Sequence, residues 1–196
     1  MSTLEKVKQL RQQTSAGMNA CSAALKEADG DLEKAVEILR KKGIAKAAKK
    51  ATRAAEQGVV ESYIHPGDRV GVLLEVNCET DFVARNEDFR QMTKDIAMQI
   101  AASHPLYVQR EDVPEDLISK EKEIFASQMK DKPKDVLDKI LEGKIDKFYG
   151  EICLLEQPFI KDPDKTVQDL VTGVIATLGE NIVIKRFARF AIGEEA

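Results

Sequence analysis

Cysteine is scarce in this chain. Cys21, Cys78 and Cys153 are the only three in 196 residues, and no two form a C-x-x-C pair. An odd, widely spaced set argues against a disulfide framework and a structural zinc site, and suits a reducing compartment. Histidine is scarcer still. With only His65 and His104, a histidine metal cage or a Ser-His-Asp arrangement is nearly excluded on inventory. Long hydrophobic runs are missing too. The longest, Val70 to Val76, is interrupted by Gly71 and Glu75 and is far too short to cross a bilayer. Met1 to Lys6 carries neither an apolar core nor an Arg-rich transit pattern, which predicts a chain that stays where it is made, the cytoplasm. Nor is there an excess of positive charge. Thirty Lys and Arg against 34 Asp and Glu leave a net charge of −4, which disfavours a dedicated nucleic-acid binder. No Walker loop, G-x-G-x-x-G, G-x-S-x-G or H-E-x-x-H occurs, so none of the chemistries those motifs carry is signalled.

What is present is ordinary globular material, 43% hydrophobic and 33% charged, in a length that suits one medium domain plus a small satellite. Leu4, Val7 and Leu10 recur at helical spacing, then Thr14-Ser15-Ala16-Gly17 breaks the pattern. A second helical run carries Met18, Cys21, Ala24, Leu25 and Ala28. After the Asp29-Gly30 turn, Asp31 is a good N-cap for a third helix burying Leu32, Ala35, Val36 and Leu39, with Gly43 as its stop. This predicts a three-helix module over 1–44, of a size that usually binds rather than catalyses. Arg40 to Arg53 holds seven basic residues, no acidic ones and several alanines, which predicts a helical linker over 45–57. It reads either as a solvated spacer or as a positive strip facing an acidic partner surface.

The remainder, 58–196, reads as α+β. Val59 to His65 and Arg69 to Asn77 are strand-like, joined by a Pro66-Gly67-Asp68 turn. Val70, Val72, Leu74 and Val76 share one face. Asn86 is a plausible N-cap for a helix with Phe89, Met92, Ile96, Ala97 and Ile100 on one stripe, ending before Pro105. Residues 114–149 predict a charged helical hairpin, opened by Pro114, its second helix starting at Pro133 with Val136, Leu137, Ile140 and Leu141 on one face and ending at Gly143. Glu151 to Glu156 reads as a strand, Val167 to Leu178 as an amphipathic helix closed by Gly179, and Asn181 to Ile192 as the last strand. The expectation is a three-stranded antiparallel sheet with helices on one face.

Cys78 lies beside Glu79 and Asp81, whose charges raise a thiol pKa and weaken it as a nucleophile. It therefore reads as a buried strand-end cysteine, with a cysteine-dependent enzyme as the competing class. Asp81-Phe82 falls in a strand-to-helix turn. Phe82 either folds inward as a staple while Asp81 bonds the turn backbone, or it stands out as an apolar anchor beside a carboxylate, suited to a partner pocket. His65, before the Pro-Gly turn, is either a solvated turn residue or a partner contact. His104 reads as a helix-end residue.

Two stretches resemble the signatures of translation elongation factor Ts. The first is Leu10-Arg11, Thr14, Ala16-Gly17-Met18 and Cys21; the second is the unbroken run from Asn77 to Asn86, with the same order and spacing. Ala45 to Ala51, Gln157-Pro158-Phe159 and Gly179-Glu180-Asn181-Ile182 extend the resemblance over essentially the whole chain. It implies a guanine-nucleotide exchange factor for elongation factor Tu, without bond chemistry and with no cofactor, metal or small-molecule substrate of its own, whose N-terminal module is similar to a ubiquitin-associated domain. By the match, Thr80, Asp81, Phe82 and Val83 form the tip that displaces the Mg²⁺ site of Tu, and Arg11, Met18, Lys50 and His65 are partner contacts. The wedge reading of Phe82 gains from this. Asn19, with Ser22 or Ala23, departs from the family pattern and implies weaker or shifted N-terminal contacts. The short length is similar to members that pair as homodimers; Ala188 stands where some carry a linking cysteine, so a noncovalent pair is implied. The alternative is an adaptor that uses the helical module and exchanges nothing.

Overall fold

The computed structural model describes residues 2–14, 16–128 and 134–194, with side chains from 137 onward in the last segment. The chain begins with three helices, α1 (Thr3–Thr14), α2 (Met18–Glu27) and α3 (Leu32–Ala48). Their contact faces come from the sequence periodicity. Val7, Leu10, Cys21, Ala24, Leu25, Ala28 and Ala35 are buried together, with Leu32, Val36, Ile38 and Leu39 packed around them. Leu4 shares the stripe but stays exposed, in the first turn of α1. The Asp31 side chain caps α3 by accepting the Lys34 N–H, and this bond holds the carboxyl below its usual pKa.

Gly43 does not stop α3. It is buried inside the helix, and a Cβ there would meet the Ala176 Cβ at 3.7 Å. A glycine in a helix costs roughly 1 kcal/mol. Here it serves a close crossing between α3 and the helix that carries Ala176. The expected separate linker helix is therefore the last part of α3 followed by turns from Lys49 to Thr52.

The sheet follows. Strands β1 (Gln57–Ile64) and β2 (Val70–Cys78) form an antiparallel hairpin, and the last strand, β5 (Ile182–Ala191), pairs antiparallel with β2 to give the order β1-β2-β5. The turn between β1 and β2 has Gly67 at φ 95° and Asp68 at φ 56°. These are left-handed values that glycine adopts freely and aspartate tolerates. Alternation sorts the two faces. Val72, Leu74, Val76, Cys78, Ile182 and Ile184 point inward and are buried. A register shift between Glu75 and Val76 inserts Lys185 as a bulge, so that β5 keeps its apolar side inward as far as Phe187.

The short α4 (Asp81–Ala84) and then α5 (Glu87–Ser103) come directly after β2. Asn86 caps α5 by accepting the Asp88 N–H at 2.8 Å. His104 closes it in the left-handed conformation just before Pro105. Phe89, Met92, Ile96, Ala97 and Ile100 pack against the inner face of the sheet. Next come α6 (Glu115–Ser127), with Pro114 at its N-cap, and α7 (Lys134–Ile152). Pro133, expected to open the second helix, and the Val136 side chain lie outside the described residues, as does Ser15 in the first break.

Gly143 does not end α7. The helix runs on to Ile152, because Ile145, Phe148, Tyr149 and Ile152 continue an apolar stripe into a second small core with Val113, Ile118 and Cys153. The expected strand at Glu151 to Glu156 is likewise replaced, by the end of α7, one bridge from Cys153 to Tyr107, and a 3-10 turn at Leu154–Glu156. Its apolar residues serve two cores: Ile152 and Cys153 face the hairpin, Leu154 the sheet. Such a division suits a helix-to-turn junction better than a strand with one buried face. The Arg110 guanidinium joins this region by hydrogen bonds to Glu156 and Asp146 and by lying over the Tyr149 ring.

A small hairpin that the sequence reading missed, β3 (Pro158–Phe159) with β4 (Asp162–Thr166), leads into α8 (Val167–Leu178). Thr166 and Asp169 form a reciprocal capping box there, and Gly179, at φ 81°, closes the helix. The fold is α+β, with α5 and α8 covering one face of the sheet and the other face open.

Candidate functional site

The geometry around Thr80 begins with the register of the sheet. Asn77 pairs with Val183 and Cys78 with Ile182. Past that pair the strands separate, and the chain turns away through Glu79 and Thr80 into the four-residue α4. Thr80 is its N-cap, with an extended backbone and its hydroxyl accepting the Val83 N–H at 3.4 Å. An N-cap of this kind sets the direction of the turn. Ala84 points into the core and Val83 packs against it. Phe82 is left outside, 80% exposed, the most exposed large apolar side chain among the described residues. Asp81 stands next to it, half exposed, with Arg85 at 2.9 Å one turn further on. The staple alternative for Phe82 is thereby excluded: Val83 and Ala84, not Phe82, provide the inward contacts.

The turn is held from both sides. The Glu180 carboxylate accepts the Thr80 N–H at 3.0 Å and the Thr80 hydroxyl at 2.7 Å. The Glu79 carboxylate accepts the Asn181 N–H at 2.7 Å and lies 3.5 Å from Arg53. The Asn181 side-chain amide donates to the Arg53 carbonyl at 2.8 Å. Lys50 donates its ammonium to the Gly179 carbonyl, a good place for a cation because the C-terminal end of α8 is negative. Beneath the turn, Cys78 is buried and donates its S–H to the Thr80 carbonyl at 3.1 Å. Burial first, and then Glu180, pushes its thiol pKa up. That environment weakens the thiol as a nucleophile, with burial as the main cause and Asp81 the smallest contributor.

The basic segment is not a free positive strip. Arg40 makes a two-bonded pair with Asp169, Lys42 pairs with Glu27, Lys41 with Glu37, Arg53 with Glu79, and Lys50 is bound to Gly179. Five of its seven cations thus have partners within the chain, and three of them tie α3 and the following turns to the core. Lys50, a partner contact by the resemblance, bonds the Gly179 carbonyl within the chain. Arg11 and Met18 are exposed on the helical module. His65 is exposed at the opposite end of the β1–β2 hairpin, its Nδ1 within 3.0 Å of the Tyr63 hydroxyl. Eight residues of strand put it about 25 Å from the Thr80 turn. The structure brings Thr80, Asp81, Phe82 and Val83 together; it does not bring Arg11, Met18 or His65 to them. Glu180, which the sequence reading noted only as part of a matching stretch, emerges as a member of the site. Its signal was its place opposite Thr80 if the β2–β5 register is continued by two residues. Among the described residues, no cluster of His, Cys, Asp or Glu is arranged to hold a metal ion.

An exposed apolar residue at a rigid, capped turn invites comparison with known proteins. The family model described as elongation factor TS matches residues 2–194. The chain belongs to the elongation factor Ts family. It is 58% identical over 193 residues to the elongation factor Ts of Thermodesulfovibrio yellowstonii, covering 98% of this chain and 96% of that one. Against that of Caldanaerobacter subterraneus subsp. tengcongensis the figures are 59% over 196 residues, with 99% and 98% covered. The Moorella thermoacetica protein is 60% identical over 190 residues, 96% and 94% covered. Among the described residues no helix is long and apolar enough to cross a membrane.

Proposed function

We propose that this protein is a guanine-nucleotide exchange factor of the cytoplasm that binds elongation factor Tu in its GDP form and speeds GDP release. The observation that carries the reading is the exposed Phe82 beside Asp81 on a turn whose backbone is fixed by Thr80 and its partner Glu180. A rigid apolar anchor pays little ordering entropy on entering a partner pocket. The Asp81 carboxylate enters with it, and the insertion disturbs the partner's Mg²⁺ site. Losing that counter-charge weakens the hold on the β-phosphate. The effect is linkage: the exchange factor and GDP each lower the other's affinity by the same factor, and the overall nucleotide equilibrium is unchanged. No bond is made or broken by this chain, and it needs no cofactor, nucleotide or nucleic acid of its own.

The remaining contacts divide by place. Arg11 and Met18, exposed on the three-helix module 1–44, serve as a separate docking surface on the partner. Lys50 acts from within, by holding the end of α8. His65 belongs to a contact remote from the wedge. Beside it, the open face of the sheet presents Ile64, Leu73, Phe190 and Ile192. Ile64 and Phe190 lie in one cross-strand row through Gly71, and Ala188 lies opposite Leu73. Such a patch suits pairing of two copies, noncovalent at Ala188.

The test is release of fluorescent GDP from the cognate Tu. Wild-type protein accelerates release, and Phe82→Ala and Asp81→Ala reduce the acceleration. No acceleration by wild type, with no Tu captured on the immobilised protein, refutes the exchange reading and returns the helical module to an adaptor role. Full acceleration by both variants removes the wedge alone.

A further inference from the structure

Continuing the β2–β5 register beyond Cys78–Ile182 would place Glu79 opposite Asn181 and Thr80 opposite Glu180. At these two positions carboxylates bind the amides instead. The Glu79 carboxylate takes the Asn181 N–H, and the Glu180 carboxylate takes the Thr80 N–H. Each glutamate therefore bonds the amide of the residue that follows the other. The strands can diverge without leaving the amides of half-buried Thr80 and buried Asn181 unpaired, which would be costly. Glu180 does more, since it also accepts the Thr80 hydroxyl proton. That bond orients the same hydroxyl oxygen that caps α4 through Val83. The wedge thus hangs on a single threonine held at its amide and its hydroxyl by one carboxylate.

We infer that Glu180 is a positioning residue for the wedge: through Thr80 it holds the Asp81-Phe82 turn in the orientation that enters the partner. Glu180 is half-buried and is set to act without touching the nucleotide or the Mg²⁺. Charge-assisted bonds of this kind are short and stronger than neutral ones. Without them the turn samples other orientations while the rest of the surface still docks. This inference rests on the exchange reading above. Its consequence is a split between steps: docking is kept and the step that expels GDP slows.

Three measurements test it. In the exchange assay, Glu180→Ala lowers the maximal GDP-release rate about tenfold, the order expected for a lost charge-assisted bond. The half-saturating concentration stays within about twofold of wild type. Glu180→Gln, whose oxygen accepts the Thr80 amide and whose NH₂ donates to the Thr80 oxygen, recovers most of the rate. By NMR on the full-length protein, the Thr80 amide exchanges with solvent about tenfold faster in Glu180→Ala, whereas the Leu74 amide in β2 does not change. The inference is overturned by an unchanged maximal rate, by a rate loss matched by an equal loss of affinity, or by a Gln variant as impaired as Ala. Unchanged Thr80 amide exchange overturns it whether or not wild type accelerates GDP release. Absence of acceleration by wild type, with faster Thr80 exchange in Glu180→Ala, removes the exchange reading and leaves the clamp standing.

Discussion

Phe82 and Phe89 lie seven residues apart in one continuous stretch, and the structure assigns them opposite roles. Phe82 is 80% exposed, while Phe89 is fully buried between α5 and the sheet. Full burial of a phenylalanine stabilises by about 1.5–3 kcal/mol. With only a fifth of it covered, Phe82→Ala costs about 0.5 kcal/mol, or roughly 1–2 °C in Tm for a chain of this length. Phe89→Ala removes the transfer term and leaves a cavity, about 3–5 kcal/mol, or roughly 6–20 °C. The functional expectation runs the other way. If the Phe82 ring is buried in a pocket of Tu as GDP leaves, its loss removes about 1.5–3 kcal/mol from that step, roughly 10- to 100-fold in stimulated release. Phe89→Ala, assayed at a temperature where it is still folded, loses far less. The chain has no tryptophan, so melting is best followed by far-UV circular dichroism, with fluorescent GDP reporting exchange. A drop of 8 °C or more (about 2–4 kcal/mol) for Phe82→Ala would refute its exposed placement. An unshifted melt with undiminished exchange would refute the wedge.

Four further outcomes are expected. Gly58→Ala, at φ 147°, puts a Cβ 2.2 Å from the Val76 carbonyl oxygen; because that neighbour is backbone, urea unfolding should show a loss of about 2–4 kcal/mol. Burial, then Glu156, raises the Cys153 thiol from 9.0 to about 11. A raised pKa favours the protonated folded form, so this contribution is complete below pH 9 and lost as pH rises through 11. Denaturation across that window should show a downward slope that is shallower in Cys153→Ala. If two copies pair through the open sheet face, Phe190→Glu should shift light scattering from dimer to monomer; a dimer that persists in this variant would exclude this face as the pairing surface. Asp169→Ala removes both the capping box of α8 and the Arg40 pair and should cost about 1–2 kcal/mol by urea unfolding, against a few tenths for Glu37→Ala, whose pair with Lys41 is exposed.

Where local chemistry sets the structure, the sequence was legible. Asp31 and Asn86 cap helices because their side chains reach amides two or three residues on. Pro66-Gly67-Asp68 turns because its residues accept the required backbone angles. The alternation of Val70 to Val76 marks a face because strand periodicity is two. Gly43 and Gly143 misled for a physical reason: the cost of a helical glycine is about 1 kcal/mol, less than the packing gained by continuing α3 across α8 and α7 into the Arg110 region. Glu151 to Glu156 misled because an apolar run does not state how many cores it serves.

The candidate site divides along the same line. Turn position, read from the sequence alone, singled out Asp81 and Phe82, and the family signature added Thr80 and Val83. That signature also identified the family. Which way Phe82 points was not decided there, since an inward staple and an outward wedge have the same local sequence. Nor was the fate of the basic segment: Arg40 meets Asp169, and Lys50 meets Gly179, each across 129 residues. Pairings at such separation depend on where the sheet and α8 bring the backbone, and no local rule contains that information. The sequence by itself determined what the turn is made of. Tertiary structure decided that its phenylalanine faces solvent, because the connection from α8 to β5 supplies the glutamate that holds Thr80 while Val83 and Ala84 take the inward positions.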